Sequence, residues 1–275
     1  MTKYIYKLSP FLKETIWGWE KWVVSCHPNG PSIVDNGDLK GEALKDVEKF
    51  KEVFPILVKI IKADSVLSVQ VHPDDEYARI HENSKGKTEC WYILEAEKGA
   101  TLISGIKKGL NKEKLRQIIN DGKLEEELEE TEVKPGDLIY IPSGTVHAIK
   151  GGLKLIEVQQ NSDITYRLYD WGRGREEHVE QSLNVIDYTG ENKGGKIENF
   201  SSLETPYFKV NKIEVKDTYK DSSKDGFNCF VVIDGEGTIS CDKNSLKISK
   251  EETVYIPQGI NYEIKGNLTL LKSNE

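Results

Sequence analysis

Apolar and polar residues alternate along most of this chain with a period of two, the spacing of extended strands rather than of helices. Residues 56–61 (ILVKII) read as a buried strand, and a short turn at Lys62–Ser65 leads to a second strand ending at His72. Further strands are predicted at Val23–Val24, Lys87–Leu94, Ala100–Ser104, Leu138–Ile141, Val146–Ile149, Leu153–Gln159 and Ile164–Tyr169. Turn residues separate them: HPNGP at 27–31, Lys98-Gly99, Pro135-Gly136-Asp137, Pro142-Ser143-Gly144 and Gly151-Gly152. Helical spacing is local. Leu44, Val47, Phe50 and Phe54 recur at helical intervals within residues 41–54, which Pro55 stops. Pro73–Glu76 opens a short helix over Tyr77–Glu82, residues 112–130 predict two short helices about Gly122, and Glu177–Asn184 predicts another. The acidic run at 125–130 reads as a solvated helix face.

The pattern repeats. YIPSGTVHAIKGGL (140–153) recurs without a gap as YIPQGINYEIKGNL (255–268). Upstream, ECWYILEAEKGATL (89–102) recurs as NCFVVIDGEGTI (228–239), with two residues fewer in the turn. Two matched segments in the same order make an internal repeat, and short strands at this spacing make a sandwich or jelly roll. The fold class is therefore mainly β, with two β-sandwich lobes: residues 1–195, carrying small helical insertions near 112–130, and residues 196–275. The copies differ where chemistry would lie. Glu89 of the first faces Asn228 of the second, and His147 faces Tyr262, while Pro, Gly and the apolar positions are kept.

Composition narrows the classes. With 275 residues, 37% hydrophobic and 31% charged, the chain fits a globular protein with a core of its own. No apolar run approaches the ~20 residues that span a bilayer, and MTKYIYKLSPFLKETIW lacks the features of a signal peptide. A cytoplasmic protein without membrane contact is expected. The net charge of −8 argues against nucleic acid as a partner, since a phosphate backbone needs a basic face. It leaves room for a small anion held by a few cations. Cys26, Cys90, Cys229 and Cys241 form no CxxC pair and are read as four reduced thiols.

Candidate chemistry collects on Leu67–Ile93. Gln70-x-His72 places two side chains on one strand face, and Lys87-x-Glu89 does the same on a neighbouring strand. With His147 from a later segment, Gln70, His72 and Glu89 supply two imidazoles, a carboxylate and an amide oxygen, a set that suits a divalent Zn²⁺ and tolerates Mn²⁺, Fe²⁺ or Co²⁺. Asp163 and Arg167, four apart, share a face if the segment is a strand. His81 and His178 are read as surface residues.

Four segments in this order, SVQVHPDD, GKTECWYIL, IPSGTVHAI and QNSDITYR, resemble the type I mannose-6-phosphate isomerases in their short bacterial form, which are cupins. IWGWEKWVVSCHPNGPS is also similar, though shorter than usual between Trp17 and Trp22. The resemblance implies cupin jelly rolls, one zinc per chain on Gln70, His72, Glu89 and His147, and active-site roles for Lys87, Asp163 and Arg167. It implies a small sugar phosphate as partner and reversible conversion of mannose 6-phosphate to fructose 6-phosphate. Lys87 is read as an electrostatic residue, the base stays open between Asp163 and Lys87, and Asp163 and Arg167 could instead simply pair. Trp17, with Trp19 and Trp22, is either core or the wall of a sugar pocket; His27 and Arg173, with Arg175, are candidate substrate contacts. A metal cupin of another reaction class, a dioxygenase or epimerase, and a non-catalytic sugar-phosphate sensor are the alternatives. The chain is expected as a monomer or a homodimer.

Overall fold

A computed structural model describes residues 3–48 and 54–275. The chain divides into two compact units, one of Met1–Lys13, Lys21–Lys59 and Phe200–Glu275, the other of Glu14–Glu20 and Ile60–Asn199. The fold is mainly β, as the period of two predicts.

The second unit has two antiparallel sheets. One takes the order Tyr166–Tyr169, Val69–Val71, His147–Ala148, Thr101–Ile106, Leu128–Glu132. The other takes the order Gly195–Ile197, Leu138–Ile141, Glu89–Ala96, Leu153–Gln160, and is extended by the end of Ile56–Ala63. Their facing sides supply one buried cluster: Leu102 and Ile149 join Ile61, Trp91, Ile93, Ile139, Ile141, Leu153 and Leu155. Each such side chain contributes about 1.5–3 kcal/mol of burial. The far side of the five-stranded sheet carries Val69, Val71, Ile103, Val146 and Ala148 against the helices Lys112–Asn120 and Val179–Val185, which insert Leu115 and Leu183. Strand alternation then leaves Gln70, His72 and His147 for the inner side. A register slip of one residue would exchange the two sets.

The helices start where their caps allow. Asp74 accepts the Tyr77 amide (2.8 Å) at the head of Asp75–His81, and Asn111 accepts the Lys114 amide (2.9 Å) at the head of Lys112–Asn120. Beyond Gly122 the expectation of a second helix fails. Leu124–Glu127 is a short 3-10 turn, and Leu128–Glu132 is the edge strand beside Thr101–Ile106. Residues 128–132 find a sheet edge to extend, and Glu130 accepts from Thr101 Oγ1 (2.7 Å) and Lys150 Nζ (3.0 Å) on that edge. Of the helix expected over residues 41–54, Leu44–Val47 is formed, and Phe50 lies outside the described residues.

The first unit is a nine-stranded sheet system ordered Ser202–Glu204, Lys209–Val215, Asn261–Asn274, Asn228–Ser240, Thr253–Ile256, Tyr6–Ser9, Ile33–Val34, with Thr218–Ser222 and Ser245–Ser249 pairing off this path. Residues up to Lys13 join it because Tyr6–Ser9 pairs antiparallel with Thr253–Ile256. Phe230, Val232, Ile239, Val254, Ile256 and Leu270 are in its core.

The internal repeat is written in hydrogen bonds. Gly144 N donates to His72 O, and Gly259 N donates to Ser223 O, both at 2.9 Å. Ile93 N donates to Asp137 O as Val232 N does to Glu252 O, and Gly136 N to Ile93 O as Glu251 N does to Val232 O. Gln70 lies across from His147 as Asp221 lies across from Tyr262. The counterparts of Gln70, His72, Glu89 and His147 are thus Asp221, Ser223, Asn228 and Tyr262. The four cysteines are all free thiols, and no helix among the described residues is long and apolar enough to cross a membrane.

Candidate metal centre

Glu89 opens the strand Glu89–Ala96 and points inward, since Trp91 and Ile93 on the same face are core residues. His72 follows Val69–Val71, and His147 opens the strand His147–Ala148 on the facing sheet. The fold brings these three together: one ligand atom from each lies within 4.8 Å of the others, and all three residues are buried. His147 Nε2 is 3.4 Å from Glu89 Oε1, and His72 Nε2 is 3.7 Å from Glu89 Oε2. Gln70 is the cross-strand partner of His147, which places it on the same inner face.

The state of His147 decides what this cluster can hold. Its Nδ1 is 2.8 Å from Thr145 O and so carries the proton, which leaves the lone pair on Nε2. That nitrogen is buried and makes no hydrogen bond. Burial pushes the imidazole pKa down to about 3, against the opposing pull of the Thr145 carbonyl. A neutral ring with an outward-bonded Nδ1–H and an inward lone pair is how a protein presents a histidine to a metal. Two imidazoles and one carboxylate, with an amide on the adjacent strand, fit Zn²⁺ in donor type and number.

Lys87 lies against this group. It is buried, with Nζ 2.8 Å from Glu89 Oε2 and 3.0 Å from His72 Nε2. Arg167 is the cross-strand partner of Gln70. Its Nη1 donates to Glu176 O (2.6 Å), while its Nε is buried without a hydrogen bond. Burial, then Arg175 and Arg173, draw the Arg167 pKa below its ordinary value. Asp163 is exposed on the loop between Leu153–Gln160 and Tyr166–Tyr169, and its own carbonyl accepts from Thr165 Oγ1 (3.3 Å). His178 is half-buried, its Nδ1 accepting from the Arg167 amide (3.2 Å).

The remaining candidates have other surroundings. Arg173 donates to Asp170 O, Val66 O and Asp170 Oδ1 (2.8 Å), and Arg175 donates to both oxygens of Asp170, which is 1% exposed. Trp17 is buried in the cluster that includes Trp91, and His27, in the first unit, is half-exposed and edge-on to Trp22 with ring centres 5.6 Å apart. One residue beside the centre escapes the sequence reading. Glu157 is buried on the inner face of Leu153–Gln160 and accepts from Trp91 Nε1 (3.0 Å), whose ring stands edge-on to His147 at 5.4 Å. Its signal was a charge in the inward row Leu153, Leu155, Glu157.

Residues 1–104 match the family model for the catalytic domain of type I phosphomannose isomerase, and residues 196–275 match the cupin domain of mannose-6-phosphate isomerase. Mannose-6-phosphate isomerase ManA of Bacillus subtilis is 38% identical to this chain over 91% of it and 92% of that protein. The chain belongs to the mannose-6-phosphate isomerase family. The mannose-6-phosphate isomerase of Streptococcus mutans is also 38% identical, over 93% of this chain and 88% of its own. The crystal structure of the mannose 6-phosphate isomerase from Bacillus subtilis superposes with a TM-score of 0.89 at 31% identity, covering all of both chains. The candidate metal centre and the family together support an isomerase of mannose phosphate.

Proposed function

We propose that the protein interconverts mannose 6-phosphate and fructose 6-phosphate at a zinc ion held by Gln70, His72, Glu89 and His147. The observation that carries this reading is the buried His72–Glu89–His147 cluster, with the Nε2 lone pair of His147 turned into it. The bound ion supplies Lewis-acid chemistry toward the carbonyl and hydroxyl oxygens of the open-chain sugar.

The remaining work falls to side chains. The C2 proton of the aldose is weakly acidic, and its removal builds negative charge on O1. Lys87, buried and cationic beside Glu89, stabilises that charge electrostatically. Arg167, with its buried Nε, adds a second cation from the strand beside Gln70. Asp163 is the carboxylate of this region that takes the proton from C2 and returns it to C1, while one hydroxyl proton passes from O2 to O1. Glu157 and Trp91 hold the imidazole of His147 from behind. The phosphate is recognised by guanidinium groups; Arg173 and Arg175 exchange part of their Asp170 contacts for it. The small-molecule partner is a sugar phosphate.

A coupled assay for fructose 6-phosphate formation, run before and after chelation and again after zinc is restored, tests the reading. Activity lost on chelation and recovered with zinc is the expected result. Turnover that ignores chelation, or no turnover of mannose 6-phosphate in a zinc-replete sample, overturns it.

A further inference from the structure

We propose that Gln160 is a positioning residue of this centre, a clamp that holds the His72 arm and the Lys87–Glu89 arm against each other; the inference rests on the isomerase reading. Gln160 ends the strand Leu153–Gln160 and is buried. Alternation turns it away from the inner face that Glu157 and Gln159 occupy, so it meets neither metal nor substrate. Its Oε1 accepts from the amide of Thr88 (2.8 Å), and its Nε2 donates to Asp75 Oδ1 (3.0 Å). Its own amide donates to Thr88 O (3.0 Å).

The two partners sit at decisive places. Thr88 is the residue between Lys87 and Glu89. Asp75 lies three residues past His72 and begins the helix Asp75–His81. The same Asp75 oxygen accepts from Gly86 N (2.8 Å), and Lys87 N donates to Pro73 O (3.0 Å). The chain from His72 to Glu89 therefore leaves the site, turns through a helix and returns, and Gln160 ties its two ends to a third strand. A primary amide does this with one donor and one acceptor. A carboxylate cannot donate to Asp75, and an amine cannot accept from Thr88.

The clamp sets where Lys87 stands relative to His72 and Glu89. Partners of metal ligands and catalytic groups typically change metal affinity or activity about 10- to 100-fold when broken, and a misplacement of about 1 Å in reacting geometry costs on the order of 10²-fold. Because Gln160 does not face the substrate, the loss belongs in kcat and not in KM.

The test uses the full chain with Gln160→Glu, which keeps the acceptor for Thr88 and sets a carboxylate against Asp75, and with Gln160→Met, which keeps the length and removes both the donor and the acceptor. Steady-state kcat and KM for mannose 6-phosphate are measured alongside the visible spectrum of the cobalt-loaded protein, which reports ligand geometry without turnover. Both variants should lose about 10- to 100-fold in kcat with KM within about 3-fold, and shift the cobalt spectrum. Should Gln160→Glu not fold, Gln160→Met carries the same test. An unchanged kcat and spectrum in a folded variant, or a loss confined to KM, overturns the clamp. Absence of mannose 6-phosphate turnover by the unaltered protein would defeat the isomerase reading instead, and the cobalt spectra would still decide on the clamp.

Discussion

Asp221→Asn should destabilise the protein by about 2 kcal/mol at neutral pH. In the first unit, Asp221 accepts from Lys272 Nζ (2.7 Å), Tyr219 Oη (2.8 Å), Tyr262 Oη (3.0 Å) and its neighbour's amide, Ser222 N (2.7 Å). Asn228 donates to Tyr262 Oη (2.9 Å), and Asn274 donates to Asn228 Oδ1 (3.1 Å). Asp221, Asn228 and Tyr262 are the repeat counterparts of Gln70, Glu89 and His147, and Lys272 and Asn274 those of Glu157 and Gln159, so here a protein ammonium and a phenol close the space that candidate ligands line in the other copy. Burial alone would raise the Asp221 pKa; the bonds from Lys272, Ser222 and Tyr219 outweigh it and hold the carboxyl at about 2, against an ordinary 3.8. A depression of about two units is worth about 2.5 kcal/mol. The side chain is 28% exposed, so solvent screening lowers this to about 1–2 kcal/mol. The variant also leaves Lys272, 13% exposed, without its carboxylate, a cost of about 3–5 kcal/mol for a fully buried pair and less here. Urea unfolding followed by far-ultraviolet circular dichroism and tryptophan fluorescence measures the difference. Because the folded pKa is depressed, the stabilisation is complete above about pH 4, and the gap between wild type and variant should close as pH falls toward about 2. A gap under about 0.5 kcal/mol at neutral pH, or one that does not shrink in acid, would refute the reasoning.

Glu89→Gln should lower zinc retention at least about 10-fold on dialysis against a weak chelator and abolish turnover, because the amide replaces the one carboxylate of the cluster; metal analysis checks this. Asp170→Asn should cost about 2–4 kcal/mol by thermal or urea unfolding, since a carboxylate 1% exposed and bonded to two guanidinium groups becomes neutral. Gly86→Ala should lower kcat, because an added Cβ would lie 2.5 Å from the Asp74 carbonyl carbon and 2.8 Å from Pro73 O and so push the Lys87 arm outward; the coupled assay and cobalt spectrum report it. Truncating Ile93 to Ala on the inner face should cost about 2–5 kcal/mol, read by the unfolding midpoint.

Most of the fold and the residues of the candidate metal centre were legible in the sequence, and each for a local reason. Strand period puts Gln70 with His72 and Lys87 with Glu89, and two repeated segments in the same order show which inner positions need no ligand chemistry, as Asn228 and Tyr262 do in the other copy. Such spacings travel with the chain. Partner choice does not, since it depends on sheet order and register. Leu128–Glu132 became a strand because Thr101–Ile106 offered an open edge, whatever its helical composition. Arg173 and Arg175 converge on Asp170, Glu157 holds Trp91 behind His147, and Gln160 bridges Thr88 to Asp75 over 85 residues of sequence. Periodicity tells which face a side chain leaves from; the atom that it meets is decided by which strand the folded sheet brings alongside, because hydrogen bonds and ion pairs act over about 3 Å in space and carry no memory of distance along the chain.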